Sequence, residues 1–249
     1  MIFVTGDAHG SPIAQLSYTR NPRMKNLTED DFVIFLGDFG VLWTNKPNAN
    51  EKYVLNWLDS KPWTSLVIGG NHENWDRLSS LETVEMFGVT LGKISEKVFF
   101  IPNGTILNID GKSLFCMGGG LSIDKDWRLA IMAQHPDNDP IWWEAEIPSK
   151  EQMDFATRNL ESVDYKVDYI LTHAIPMEAL KIYEYQYGQS YKLVDPMANF
   201  LQFIANQTKR KGWFCGHMHV DQMLGSVRCC YKDAINIESC DNLFEIAQD

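Results

Sequence analysis

The chain has 249 residues, 45% of them apolar, and a formal net charge of −11. That length holds one large domain or two small ones around a sizeable core, and the acidic balance argues against loose binding along a nucleic-acid backbone or an anionic membrane. No stretch approaches the roughly 18 uninterrupted apolar residues of a membrane span, and the chain starts on a strand-like run without a leader pattern, so a cytoplasmic protein is expected.

In chain order, short apolar runs end repeatedly in polar clusters. Ile2 to Thr5 leads into Gly6-Asp7-Ala8-His9-Gly10, and Ser11-Pro12 then offers a helix N-cap and first-turn proline. Phe32 to Leu36 leads into Gly37-Asp38, and Glu51 to Leu58 carries a helical apolar stripe. Leu66 to Ile68 ends in Gly69-Gly70-Asn71-His72-Glu73. Ile106 to Ile109, Asp110-Gly111 and Leu114 to Met117 read as a hairpin, because Asp-Gly supplies the positive φ of a tight I′ turn. Ser149 to Gln152 is a capping-box pattern, and Asp195-Pro196 opens another helix. Tyr169 to Leu171 ends in Thr172-His173, and Trp213 to Cys215 in Gly216-His217-Met218-His219. Ser226 to Tyr231, Ala234 to Ile237 and Leu243 to Ala247 are β-like.

Strands thus alternate with helices first and come as hairpins later. The expected fold is α/β, two sheets with helices outside, in a single domain over residues 1–249. Ligands of open α/β sheets sit outside the carboxyl ends of the strands, so the five clusters deliver their polar groups to one place. The five cysteines are odd in number and form no C-x-x-C pair, which reads as reduced thiols in core positions.

Five of the six histidines fall in these clusters. A catalytic dinuclear site needs imidazole and carboxylate ligands, one carboxylate able to bridge, and an open position for water. Asp7 and His9, two apart on an extended segment, can turn to one ion, and His217 and His219 can reach one ion each. Asp38 stands alone after its strand as a bridging carboxylate would, and Asn71 can bind through its carbonyl oxygen. Mixed His, Asp and Asn ligation suits Mn, Fe, Zn, Ni or Co. His135 matches no cluster and reads as a surface loop residue; Glu73 reads as a support for the site and not as a ligand.

The series D-x-H, G-D, G-N-H-E, H, G-H-x-H, running from residue 5 to residue 219, resembles the calcineurin-like metallophosphoesterase superfamily. The resemblance implies a two-sheet sandwich flanked by helices, and one metal held by Asp7, His9, Asp38 and His219. It implies a second metal held by Asp38, Asn71, His173 and His217, with His72 as the unligated, catalytic histidine beside the leaving-group oxygen. The implied reaction is hydrolysis of a phosphoester, by a phosphatase or a phosphodiesterase, with a bridging hydroxide as nucleophile. His72, as imidazolium, would serve the leaving oxygen.

One motif departs from the pattern. Protein serine/threonine phosphatases of this superfamily carry G-D-x-x-D-R-G, where this chain has Gly37-Asp38-Phe39-Gly40-Val41-Leu42-Trp43. Val41 replaces the aspartate that would orient the histidine, and Leu42 replaces the arginine that would clamp the phosphate. Arg128 or Arg77 could take the clamp's place; a solvated surface arginine is the plainer reading of Arg77, and for Arg128 the two readings stand level. Arg128 belongs to the irregular stretch 118–149, which reads as a substrate-facing insert. There Arg128, Trp142 and Trp143 are candidate substrate contacts, and plain anchoring of the insert is the alternative for the two tryptophans.

The expected partner is a phosphoester, a nucleotide among the candidates. The rival readings are a nuclease and a non-catalytic scaffold. A nuclease needs a basic, aromatic groove, whereas Lys209-Arg210-Lys211 is the only strong basic run and reads as a helix C-terminal cluster. A scaffold would show decay of the ligand set, and no ligand is missing.

Overall fold

The computed structural model describes residues 1–188, 195–241 and 244. Its strands are β1 (Ile2–Thr5), β2 (Phe32–Leu36), β3 (Thr64–Ile68), β4 (Glu82–Met86), β5 (Val89–Lys93), β6 (Val98–Ile101), β7 (Thr105–Ile109), β8 (Lys112–Met117), β9 (Tyr169–Thr172), β10 (Gly212–Cys215), β11 (Gln222–Leu224), β12 (Val227–Cys229) and β13 (Ile235–Asn236). Among the described residues they form a seven-stranded sheet in the order β13-β1-β2-β3-β6-β5-β4 and a six-stranded sheet in the order β11-β12-β10-β9-β8-β7. The centres β1-β2-β3-β6 and β8-β9-β10-β12 are parallel, with antiparallel strands at both edges of each sheet.

The two-residue period of a strand sorts the core into layers. Val4, Ile34, Leu36, Leu66 and Ile68 face Leu107, Leu114, Tyr169, Leu171 and Phe214 between the sheets. Their neighbours Phe3, Val33, Phe35 and Val67 turn outward to Leu16, Val54, Leu58 and Trp75. These come from α1 (Pro12–Gln15) and the segment after it, α2 (Ala49–Asp59) and α3 (Trp75–Ser79). On the other outer face Phe115, Ile170 and Trp213 pack under Ala156, Leu160, Leu180 and Leu201. The helices there are α5 (Lys150–Ser162), α6 (Met177–Tyr187) and α7 (Pro196–Gln207), while α4 (Lys125–Gln134) lies within the 118–149 stretch.

Local signals act as their chemistry requires. Asp110 and Gly111 take φ of 52° and 71° in the β7–β8 turn, as a I′ turn demands. Ser149 and Gln152 form the full capping box of α5, and Asp195 caps α7 through the amides of Met197 and Ala198. Ser11 does not cap, and the helix it opens is a single turn of four residues. Arg210 donates to the carbonyls of Ala205 and Thr208 at 3.1 and 3.3 Å, so the basic run does close the C-terminus of α7. The β-like run Ala234 to Ile237 yields only β13 before a 3-10 turn over Ile237–Cys240. Leu243 to Ala247 lies outside the described residues except Phe244, whose buried ring meets Phe214. No helix of the described residues is long and apolar enough to cross a membrane.

Candidate metal centre

Parallel strands bring the loops after β1, β2, β3, β9 and β10 to one rim, and the backbone there is bent to aim side chains inward. Asp7, His9, Asp38, His217 and His219 all take left-handed φ, at 53°, 45°, 49°, 68° and 53°, a conformation that costs a non-glycine residue about a kcal/mol or more and collects at functional sites. The amides of Asp7, His9 and Gly10 donate to the carbonyls of Gly37, Asp38 and Phe39 at 3.2, 2.8 and 2.8 Å, lacing the first two loops together. Glu73 holds the second loop from below, accepting from the amides of Phe39 and Gly40 at 2.7 and 3.2 Å. Burial, helped by Asp38, pushes its carboxyl up to about 8. Glu73 therefore supports the loop, as its sequence context suggested. Gly37 is required where the sheets meet, because a Cβ there would strike the His173 ring.

Donor atoms of Asp7, His9, Asp38 and His219 lie within 4.8 Å of one another, a group that could hold a metal ion. Nε2 of His9 and Nε2 of His219 are 3.0 Å apart. His9 Nε2 is 3.7 Å from Asp38 Oδ2, and His219 Nε2 is 3.6 Å from Asp7 Oδ1. The other oxygen of Asp38 turns the opposite way, 3.3 Å from His173 Nε2. His173 Nε2 is also 2.9 Å from Asn71 Oδ1, and the His217 ring lies 4.8 Å from the His173 ring, centroid to centroid. Asp38 thus stands between two nests of donors.

Proton bookkeeping tests whether these residues fit cations. Nδ1 of His173 lies 2.8 Å from the Leu36 carbonyl, which can only accept, so the proton of a neutral ring sits on Nδ1. Nε2 then turns a bare lone pair toward the oxygens of Asn71 and Asp38. The Asn71 amide is oriented from behind: its Nδ2 donates to Ser122 Oγ at 3.1 Å, and that hydroxyl donates to Glu146 Oε2 at 2.6 Å. Asp7 Oδ2 is buried with no hydrogen-bond partner. Lone pairs converging without protons are what a cation satisfies, and the donor set fits a divalent ion.

In the metal-free protein, burial, reinforced by Asp38, lifts the Asp7 carboxyl well above the carboxylate range, so a cation bound there would displace its proton. Burial would raise Asp38 too, but the imidazoles of His173, His72 and His9 hold it down. Burial pushes His217 to about 3 and also lowers His9 and His219. Neutral imidazoles beside a carboxylate held ionised are the forms that ligate metal.

His72 sits at the rim of this cluster. Its amide donates to Asp38 Oδ1 at 2.8 Å, and its ring lies 5.0 Å from that of His9 and is stacked on Trp43 at 6.0 Å. The guanidinium of Arg128 spans the ring edge, with Nη2 2.9 Å from Nε2 and 3.2 Å from Nδ1. Burial, opposed by Asp38 and assisted by Arg128, takes His72 down to about 4, so the ring is neutral at pH 7. Arg128 is not a solvated surface group: it is buried, with Nε 2.9 Å from Asp124 and Nη1 donating to the Ile141 carbonyl at 3.0 Å.

The other candidates fall differently. Arg77 is neither clamp nor solvated, since both its terminal nitrogens pair with Glu51 at 2.7 Å. Trp143 is buried, donates to Asp76 at 3.0 Å and meets Trp43 edge-on, so it anchors the insert beneath the ring that backs His72. Trp142 lies under Lys125, with Nζ 4.4 Å from its ring centre. Neither tryptophan lines the two cavities beside the cluster. His135 is exposed at the end of α4. Ser122, Glu146 and Trp43 escaped the sequence reading, because each acts on a residue at least 24 positions away and no local pattern marks it.

Two cavities meet at His72. One, of about 410 Å³, is lined by Asn71, Arg128, His217 and His219 together with apolar side chains of the insert and α6. The other, of about 430 Å³, is lined by His9 and the loop from Gly40 to Thr44 with the start of α2.

No curated protein matches the chain. The family model of calcineurin-like phosphoesterases matches residues 1–221, a span that contains every residue of the cluster. The chain belongs to the calcineurin-like phosphoesterase family.

Proposed function

We propose that this protein is a metal-dependent phosphoester hydrolase with a dinuclear centre. Asp7, His9, Asp38 and His219 would hold one ion, and Asp38, Asn71, His173 and His217 the other. Bound there, divalent cations such as Mn supply Lewis-acid polarisation of the phosphoryl oxygens and acidify water. The observation that carries the reading is Asp38, whose two oxygens turn to separate histidines at 3.7 and 3.3 Å.

The protein's own groups handle the rest. Arg128 presents a planar donor fork to a phosphoryl oxygen, in place of the arginine that Leu42 replaces. A phosphoanion bound against Arg128 and His72 offsets the guanidinium charge and raises the imidazole pKa. His72 then holds a proton at the leaving oxygen and delivers it as the ester bond breaks. Glu73, Ser122 and Glu146 fix the loop and the amide that present Asp38 and Asn71.

All five cysteines are free thiols, which suits a reducing compartment, and we place the protein in the cytoplasm. The insert's hold on His72 through Arg128 makes residues 1–249 one functional domain in this reading.

Chelated protein should be inert toward aryl phosphates and recover on addition of Mn. Asp38→Asn should stay inactive and retain less metal at both positions. Two tightly held ions in an active Asp38→Asn protein would overturn the assignment.

A further inference from the structure

The two cavities that meet at His72 differ in chemistry. Beside Arg128, the first is walled by Leu121 and Ile123 of the insert, Ile175, Leu180 and Tyr183 at α6, and Met218. Its carboxylates are already engaged: Asp38 belongs to the cluster, Asp124 pairs with Arg128 at 2.9 Å, and Asp195 caps α7. Ile123 is 65% exposed, so an apolar wall stands open to solvent where a ligand would cover it. The second cavity presents Ser11 and Asn50 beside the Trp43 ring, while Asn48 caps α2 and pairs with Thr44. Among the described residues no carboxylate or cationic side chain other than the histidines at its inner end lines it. Ser11 heads its helix without capping it, which leaves the hydroxyl for a ligand.

The number of substituents separates the substrate classes, since a phosphomonoester brings one and a diester two. Divalent ions at the cluster would offset the phosphoryl charge of either ester, so the cavity walls discriminate only against a second phosphate. Among the described residues lining both cavities, Arg128 is the only arginine or lysine, and Asp124 already shares its charge. A monoester would also leave one of two cavities, of about 410 and 430 Å³, filled with water. Pockets of this size ordinarily enclose most of a small organic group.

We infer that the substrate is a phosphodiester with an apolar ring on one arm, seated between the insert and α6, and a neutral hydroxylated group on the other, seated against Trp43, Ser11 and Asn50. The inference rests on the hydrolase reading above and names the substrate class of that same site. Water opens one P–O bond of the diester, leaving a phosphomonoester and an alcohol or phenol, and the proton from water ends on the departing oxygen.

The test compares p-nitrophenyl phosphate with thymidine 5′-p-nitrophenyl phosphate on the full chain reconstituted with Mn. The diester should have a kcat/KM at least about 10-fold higher, the scale of one well-filled apolar pocket. Ile123→Glu and Asn50→Trp alter exposed residues on opposite arms, and each should cut that ratio by about 10-fold, chiefly through KM. Equal or faster cleavage of the monoester overturns the inference while the hydrolase reading stands. A ratio unchanged in both variants overturns the placement of the arms. No cleavage of either ester by metal-loaded protein overturns the hydrolase reading and the inference with it.

Discussion

The hydroxyl of Ser122 donates to Glu146 Oε2 across 2.6 Å, and the Ser122 amide donates to Oε1 of the same carboxylate at 3.0 Å. With its proton committed to Glu146, that hydroxyl can only accept from Asn71 Nδ2, so a buried carboxylate of the insert decides which atom of the Asn71 amide faces His173. Partners that orient ligands in this way are typically worth about 10- to 100-fold in metal affinity. Ser122→Ala and Glu146→Gln should each weaken one of two metals by about that factor and spare the other, measured by competition with a chelating dye. Equal weakening of both ions, or of neither, would remove the relay from the account.

The contact between Arg128 and His72 predicts a separable effect. Arg128→Ala removes a charge that holds the imidazole down, so the His72 titration should move up from about 4, followed by NMR on metal-free protein. The loss of the donor fork should lower kcat/KM by about 10- to 100-fold, since hydrogen bonds to charged groups are worth about 1.5–3 kcal/mol, with metal content unchanged. A His72 titration that does not move would place the guanidinium elsewhere in solution.

Glu73 sets a pH dependence of opposite sign to the histidines. Its folded pKa of about 8 lies above the ordinary 4.5, so the folded chain holds a proton that the unfolded chain has released. The stability this contributes is complete below pH 4.5 and lost as pH rises through about 8. His72 and His217, held at about 4 and 3, favour the fold as pH rises toward 6.5 and contribute no slope above it. Metal-free protein should therefore lose about 2 kcal/mol between pH 6.5 and 8 from Glu73 alone. Glu73→Gln should flatten that decline in urea unfolding measured at both pH values. An unchanged slope would mean that Glu73 is ionised in the fold.

The strands that carry the cluster were legible because β1, β2, β3, β9 and β10 are buried on both faces and so read as unbroken apolar runs. The β7–β8 turn and the cap of α5 were legible for a different reason: Asp110-Gly111 and Ser149-Gln152 act within four residues. By contrast, β4 and β5 form a hairpin at the edge of the larger sheet, and β4 is largely exposed. Glu82, Thr83 and Glu85 meet solvent there, and only Val84 and Met86 alternate with them against the core, a pattern too short to mark a strand. The candidate ligands carried their own motif, whereas the groups that tune them did not. Arg128 lies 56 residues from His72, and Ser122 lies 51 from Asn71, distances over which only the fold sets contact. Arg77 shows the converse: its place beside Glu73 suggested the site, and its bidentate pair with Glu51 turns it away.

Anomalous scattering from crystals grown with Mn locates the ions without reference to any activity. Two peaks per chain should share Asp38, one against Asp7, His9 and His219 and the other against Asn71, His173 and His217. A single peak, or two peaks that do not share Asp38, would rule out a dinuclear centre built on that carboxylate.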